Sequence, residues 1–133
     1  MPKTFQLDIV TPEGLVFSEP IEHLRAPGVH GSFGVLLGHT PFMTSLAVGK
    51  VDITQNGKVR ALATSGGFVE VTPEKTVILA QTAEFAEDID LERARSAQQR
   101  AEERLRAKQA DLDENRARAA LMRAANRIRI ASR

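Results

Sequence analysis

Every glycine and every proline of this chain lies before residue 85, so only the first part can be built from tight turns, and nothing in the last part interrupts a helix. The 9 Gly and 6 Pro are confined to that first stretch, whereas residues 86–133 hold neither and carry 12 Ala. Gly and Pro punctuate strands and turns and are the residues least tolerated inside helices. A β unit over 1–86 followed by an α-helical unit over 87–133 is therefore expected. A chain of 133 residues suffices for one modest core with an appendage, not for two large domains.

Within the first part, apolar residues recur at a spacing of two and are broken by turn formers. Phe5, Leu7 and Ile9 precede Thr11-Pro12-Glu13-Gly14, which reads as strand then turn. Asn56-Gly57 tolerates positive φ at both positions and predicts a two-residue hairpin between Val51/Ile53 and Val59/Ala61. A second hairpin is predicted where Phe68, Val69 and Val71 meet Val77, Ile78 and Leu79 across Thr72-Pro73-Glu74-Lys75. Many short strands at this spacing indicate a sandwich or barrel.

The second part has helical periodicity. Leu91, Ala94, Ala101 and Leu105 fall on one face, as do Ala117, Leu121, Ala124, Ile128 and Ala131. Asp90 is placed to cap the first helix through the N–H of Glu92 or Arg93, and Asp111-x-x-Glu114 resembles a capping box for the second. The break falls near Lys108 to Asp113, so short a connection that an antiparallel helical hairpin is expected.

The seam of that hairpin is mostly alanine. Each Ala buries one methyl group, where a larger side chain would add about 0.8 kcal/mol for every further CH₂. The helices hold each other weakly, yet Ala, Arg, Glu, Gln and Leu keep each one intrinsically helical. Such a pair suits a switch, and as one continuous rod it would reach about 65 Å at 1.5 Å per residue. A permanently closed hairpin is the plainer reading of the same residues.

Charge and motifs remove most enzyme and nucleic-acid readings. The formal net charge is +1; residues 1–85 carry 6 basic and 8 acidic groups and residues 86–133 carry 12 and 9, eleven of the basic ones being Arg. Acidic residues interleave with those arginines, and Trp and Tyr are absent, which argues against a nucleic-acid module. The absence of cysteine excludes disulfides and thiolate metal sites. There is no phosphate-binding Gly-rich loop leading into a helix: Gly28-Val29-His30-Gly31-Ser32-Phe33-Gly34 leads into Val35-Leu36-Leu37 and reads as a turn, as Ser65-Gly66-Gly67 reads as a bend. His23, His30 and His39 are isolated, so no metal site is expected, and no nucleophile or general base is apparent. No apolar run is long enough to span a bilayer and no signal sequence is visible, so a soluble, unprocessed, non-enzymatic chain is expected. Taken alone, these residues leave open a general adaptor built from a sandwich and a helical arm.

Four stretches in order carry a resemblance: Val10-Thr11-Pro12-Glu13-Gly14, Gly34-Val35-Leu36-Leu37-Gly38-His39-Thr40-Pro41, Ser65-Gly66-Gly67-Phe68-Val69-Glu70-Val71, and Thr76-Val77-Ile78-Leu79-Ala80. From end to end the chain resembles the epsilon subunits of bacterial F-type ATP synthases. The resemblance implies a ten-stranded β-sandwich followed by a two-helix hairpin, acting as a non-catalytic stalk part of a proton-translocating complex. Its implied partners are the gamma subunit, the membrane c-ring and the alpha and beta catalytic subunits. Its implied place is peripheral, at the cytoplasmic face of the cell inner membrane. Gly38, His39 and Pro41 match the loop that the family turns toward the rotor interface.

The resemblance further implies an arm that inhibits ATP hydrolysis, with no obligatory cofactor but a possible regulatory ATP. Ile89-Asp90-Leu91-Glu92-Arg93-Ala94 matches the Ile-Asp-x-x-Arg-Ala motif with which some bacterial members bind ATP, and Glu84, Arg100, Arg123 and Arg127 match further positions of that site. Guanidinium forks from two helices suit phosphate oxygens, and acidic groups near the base of the hairpin suit adenine or ribose donors. The alternative is that Asp90 is only a cap and the arginines a solvated face.

Overall fold

The computed structural model describes residues 3–107 and 113–132. Ten strands come first: β1 (Phe5–Thr11), β2 (Gly14–Ile21), β3 (His23–Gly28), β4 (Gly31–Val35), β5 (Phe42–Leu46), β6 (Gly49–Gln55), β7 (Lys58–Thr64), β8 (Gly67–Val71), β9 (Lys75–Ala80) and β10 (Ala83–Phe85). A single 3-10 turn, Ala86–Asp88, leads into α1 (Leu91–Ala107), and α2 (Glu114–Ala131) follows. The chain divides into two compact units, residues 1–85 and 86–133.

The expected turn chemistry is realised at the hairpins. Asn56 has φ 53° and Gly57 φ 75°, the left-handed pair that joins β6 to β7 with Gln55 opposite Lys58. β8 and β9 pair antiparallel with Val71 opposite Thr76, the Thr72 N–H and hydroxyl both donating to the Lys75 carbonyl. Gly28 and Gly31 face each other across the β3–β4 turn, so this glycine-rich stretch is a hairpin.

The strand order is β10-β7-β6-β3-β5-β8-β9-β1-β2, with β4 paired to β3. All pairings are antiparallel except β1 with β9, which run parallel from Gln6 opposite Lys75 to Val10 opposite Leu79. Where β2 passes into β3 the chain lies against β6: Thr54 O accepts from the Glu22 N–H at 2.8 Å and the Gln55 amide donates to Pro20 O at 3.1 Å. Alternate side chains point inward and form one core, with Leu7, Ile9, Ile21, Leu24, Val51, Ile53, Leu62, Val69 and Ile78 all fully buried. At the corner between β7 and β8, Gly67 has φ 140°, and a Cβ there would collide with the Leu79 carbonyl.

The second unit is the two-helix arm. The two helices pack together, and the few residues between Ala107 and Glu114 are too short for a parallel return, so α2 runs back along α1. Asp90 Oδ1 accepts from the Arg93 N–H at 3.0 Å, the cap anticipated from sequence. The cap of α2 differs from expectation: Asp113, not Asp111, accepts from the Arg116 N–H at 3.1 Å. Asp111 lies outside the described residues. Two Asp stand close together in the sequence there, and the cap is the one directly preceding the first helical residue, Glu114, whose side chain accepts from the N3 donor.

Candidate functional site

Three surfaces can carry function, two on the sandwich and one on the arm. The first is the connection after β4. Leu36 O accepts from the His39 N–H at 3.1 Å, closing a turn in which Gly38 takes φ 81°, the value the third position of a type II turn requires. His39 is held in place by its Nδ1 against Thr40 O at 2.7 Å and by its ring against Phe42, centroids 5.0 Å apart. Phe42 in turn meets Phe33 edge-on at 5.2 Å. The turn leaves Leu36 60% and Leu37 48% exposed. His23, Gly34, Leu36, Leu37, Gly38 and His39 enclose an open pocket of about 280 Å³. Of the three residues expected at an interface, Gly38 and His39 line this pocket and Pro41 stands exposed beside it.

Sequence reasoning missed the second surface. Phe68 lies opposite Leu79, Leu79 opposite Val10, and Val10 opposite Leu15, so four apolar side chains form one row across β8, β9, β1 and β2. Phe68, Leu79 and Leu15 are more than half exposed, and Val10 is half-buried. Each looks like an ordinary strand residue in sequence, and the row exists only because the parallel β1–β9 pairing aligns them. Along the same strands Asp8 Oδ1 accepts from the Ser18 hydroxyl at 2.7 Å and the Gln6 amide at 3.0 Å, and Oδ2 from Lys75 Nζ at 3.2 Å. The bonds from Ser18 first, then Gln6, with a further contribution from Lys75, hold the Asp8 carboxyl below the usual aspartate range.

The arm presents the third surface. Ala94 and Ala101 of α1 and Ala117 and Ala124 of α2 are buried, so the seam is alanine as expected, while Leu91, Leu105, Leu121, Ile128 and Ala131 are only half-buried. Arg93 and Arg100 each directly precede a seam alanine on α1, and Arg123 precedes Ala124 on α2 with Arg127 one turn further. In an antiparallel pair the residue preceding a seam position points to the same side on both helices, so the four arginines share one flank. Arg93 and Arg100 are exposed, and Arg123 and Arg127 half-buried. Asp90 stands at the start of α1 with its carboxylate engaged in the cap, Ala94 N–H donates to Asp90 O at 3.0 Å, and Ile89 is half-buried. Glu84 belongs to the other unit, in β10 opposite Ala63. Asn126 and Ile130 are also buried, on the face of α2 away from Ala117 and Ala124, and the Asn126 Oδ1 accepts from Arg129 at 2.8 Å. The heptad-like spacing of the alanines draws attention away from that second face.

Among the described residues no group of three or more His, Asp and Glu side chains could hold a metal ion, and no helix is long and apolar enough to cross a membrane.

Comparison with known proteins gives these surfaces a context. The family model described as ATP synthase, Delta/Epsilon chain, beta-sandwich domain matches residues 4–86, and that described as ATP synthase, Delta/Epsilon chain, long alpha-helix domain matches residues 87–132. The ATP synthase epsilon chain of Desulforamulus reducens is 53% identical over 108 residues, covering 81% of this chain and 82% of that one. The epsilon chain of Anoxybacillus flavithermus is 47% identical over 107 residues, covering 80% of each. Among solved structures, a chain of the Euglena gracilis mitochondrial ATP synthase (OSCP/F1/c-ring) superposes with a TM-score of 0.76 at 26% identity, covering 95% of this chain and 80% of that one. A chain of the Tetrahymena thermophila mitochondrial ATP synthase central stalk and c-ring shares the fold, with a TM-score of 0.59 at 14% identity, covering 99% of this chain and 97% of that one. With the sandwich and the helical arm each matched along nearly their whole length, the chain belongs to the ATP synthase delta/epsilon chain family and stands with its epsilon chains.

Proposed function

We propose that this chain is a non-catalytic central-stalk subunit of a proton-translocating F-type ATP synthase, joining the rotor to the catalytic head and restraining ATP hydrolysis through its helical arm. The observation that carries this reading is the exposure of apolar side chains at two separate places on one rigid sandwich, the row Phe68–Leu79–Val10–Leu15 and the turn bearing Leu36 and Leu37. A part that bridges two neighbours needs two such faces. The row takes the gamma subunit and the turn, with Gly38, His39 and Pro41, rests on the c-ring. The chain is then held peripherally at the cytoplasmic face of the cell inner membrane by protein contacts.

The arm acts as the switch. Its alanine seam buries little, so the closed hairpin is only weakly preferred over a form in which the helices separate and set their arginines against acidic segments of the alpha and beta subunits. ATP held by Arg93, Arg100, Arg123 and Arg127 along the shared flank, with Ile89, Asp90 and Ala94 contributing at the start of α1, favours the closed form by its differential affinity. Reconstitution with the other subunits tests the reading. The full chain is expected to assemble and restrain hydrolysis, and a chain ending at Asp88 to assemble without restraining it. Failure of the full chain to co-purify with gamma and the c-ring would return it to the class of general adaptors.

A further inference from the structure

Asn56 and Gly57 form the exposed tip of the β6–β7 hairpin, and the corner between β2 and β3 reaches over to hold it. Glu22 stands at that corner, half-buried. Its backbone N–H donates to Thr54 O at 2.8 Å, and its side-chain Oε1 accepts from the Gly57 N–H at 3.1 Å. Beside it the Gln55 amide donates to Glu19 Oε1 at 3.2 Å and to Pro20 O at 3.1 Å. A two-residue hairpin turn leaves the N–H between its central residues without a partner in the ladder, and here Glu22 takes it.

Asparagine followed by glycine carries the elements of a spontaneous reaction. The Gly57 nitrogen gives up its proton and attacks Asn56 Cγ; the N–Cγ bond forms, the Cγ–Nδ2 bond breaks, and Nδ2 leaves as ammonia with that proton. Water then opens the cyclic imide at either carbonyl, giving aspartate or an isoaspartate whose main chain runs through the former side-chain carbon. Glycine has no Cβ to hinder the attacking nitrogen. The turn holds this reaction one rotation from its product. Both tip residues have positive φ, 53° and 75°, which defines type I′. Types I′ and II′ share the φ of the first central residue, about 60°, and differ in its ψ, about +30° against about −120°. An L-residue closed into the imide is held by the ring near the II′ value. Asn56 therefore already has the φ of the product, and only the peptide between Asn56 and Gly57 has to flip. That peptide carries the N–H which Glu22 holds, so the flip waits on breaking the Gly57–Glu22 bond. The carboxylate also stands beside the nitrogen on which negative charge must develop, and like charge opposes that step. We infer that Asn56 is a site of spontaneous deamidation and that Glu22 guards it in the folded protein. Of the two products, aspartate keeps the turn, since Asp-Gly also suits type I′, whereas isoaspartate adds a main-chain atom and breaks the register of Gln55 with Lys58.

The test is to age the full chain at mildly alkaline pH and follow the tryptic peptide Val51–Lys58, whose single asparagine is Asn56, by mass spectrometry and isoaspartyl-specific methylation. Wild type is expected to convert slowly and Glu22→Ala roughly two- to tenfold faster, the range to which the net contribution of one hydrogen bond corresponds. Glu22→Gln, which keeps an acceptor without the charge, falls between them. Gln55→Ala removes the neighbouring ties of the same tip but leaves the Gly57 N–H on Glu22, and keeps the wild-type rate. In unfolding urea, wild type and Glu22→Ala convert at one common rate. Equal rates for wild type and Glu22→Ala in the folded state overturn the inference. So does equal acceleration by Gln55→Ala, because general loosening of the tip then sets the rate. If Asn56 stays intact in every folded variant while the unfolded chain converts, the turn alone blocks the reaction and the inference fails.

Discussion

The guanidinium of Arg60 lies 4.0 Å from the centre of the Phe85 ring, and Phe17 packs on that ring with centroids 5.8 Å apart. Phe85 is the final residue of the sandwich unit, on a strand of three residues paired only with β7, so these contacts, not a long hydrogen-bond ladder, fix the point where the sandwich ends. Phe85→Ala is expected to destabilise the sandwich by about 3–5 kcal/mol. Arg60→Gln, which removes only the cation over the ring, is expected to destabilise it by about 0.5–1 kcal/mol. Urea unfolding of each variant separates the two.

Gly67 combines a φ of 140° with a backbone neighbour where a side chain would go. Gly67→Ala is expected to destabilise the sandwich by roughly 2–5 kcal/mol through strain and collision together. Gly38→Ala, also at positive φ but in open space, is expected to be milder, about 1–2 kcal/mol. Thermal melts of the two variants side by side check the ordering.

Asp90 has two candidate roles that one pair of substitutions divides. Asp90→Asn preserves the cap on Arg93, since both side chains accept from the N3 amide, but removes the charge; Asp90→Ala removes both and is expected to weaken α1 by about 1 kcal/mol. ATP calorimetry together with helix melting by circular dichroism reads the outcome. Equal ATP binding in wild type and both variants would confine Asp90 to capping.

Ala124 is 1% exposed in the seam. Ala124→Leu overfills a contact shaped for a methyl group and is expected to weaken the closed arm by about 1–3 kcal/mol. In reassembled enzyme this should appear as stronger restraint of ATP hydrolysis and a higher ATP concentration needed to relieve it.

Asp8 gives a pH signature. Its carboxyl is held below the ordinary aspartate range, chiefly by the Ser18 hydroxyl. A lowered folded-state value means the contribution to stability is present above the unfolded aspartate range and is lost as pH falls through the folded one. Side-chain NMR titration should show Asp8 protonating later than ordinary aspartates on acidification, and Ser18→Ala should move it back toward them.

Local rules made much of this fold legible. Asn56-Gly57 announces its hairpin because few pairs tolerate two left-handed residues, and Asp90 announces a helix start because only a short acceptor reaches the Arg93 N–H. The row from Phe68 to Leu15 was hidden because it depends on β1 lying beside β9, a pairing between distant segments that no local spacing encodes. Ile130 and Asn126 were missed for a related reason: the alanine periodicity defines one buried face of α2, and burial of a second face is decided by tertiary packing. The four arginines match a motif position by position, and the alanine seam expected from periodicity, with Ala94, Ala101 and Ala124 buried, sets them on a common flank.

The parallel pairing of β1 with β9 also governs the order in which the sandwich is completed on the ribosome. β1 is made before the other nine strands, yet one of its two neighbours, Lys75–Ala80, emerges only after most of the sandwich has been translated. Until then the β1–β2 hairpin has an open edge, and non-local closures of this kind are slow steps in folding. The arm leaves the ribosome after that closure becomes possible, so a chain stopped within the arm inherits a finished sandwich, whereas one stopped before β9 cannot seat β1.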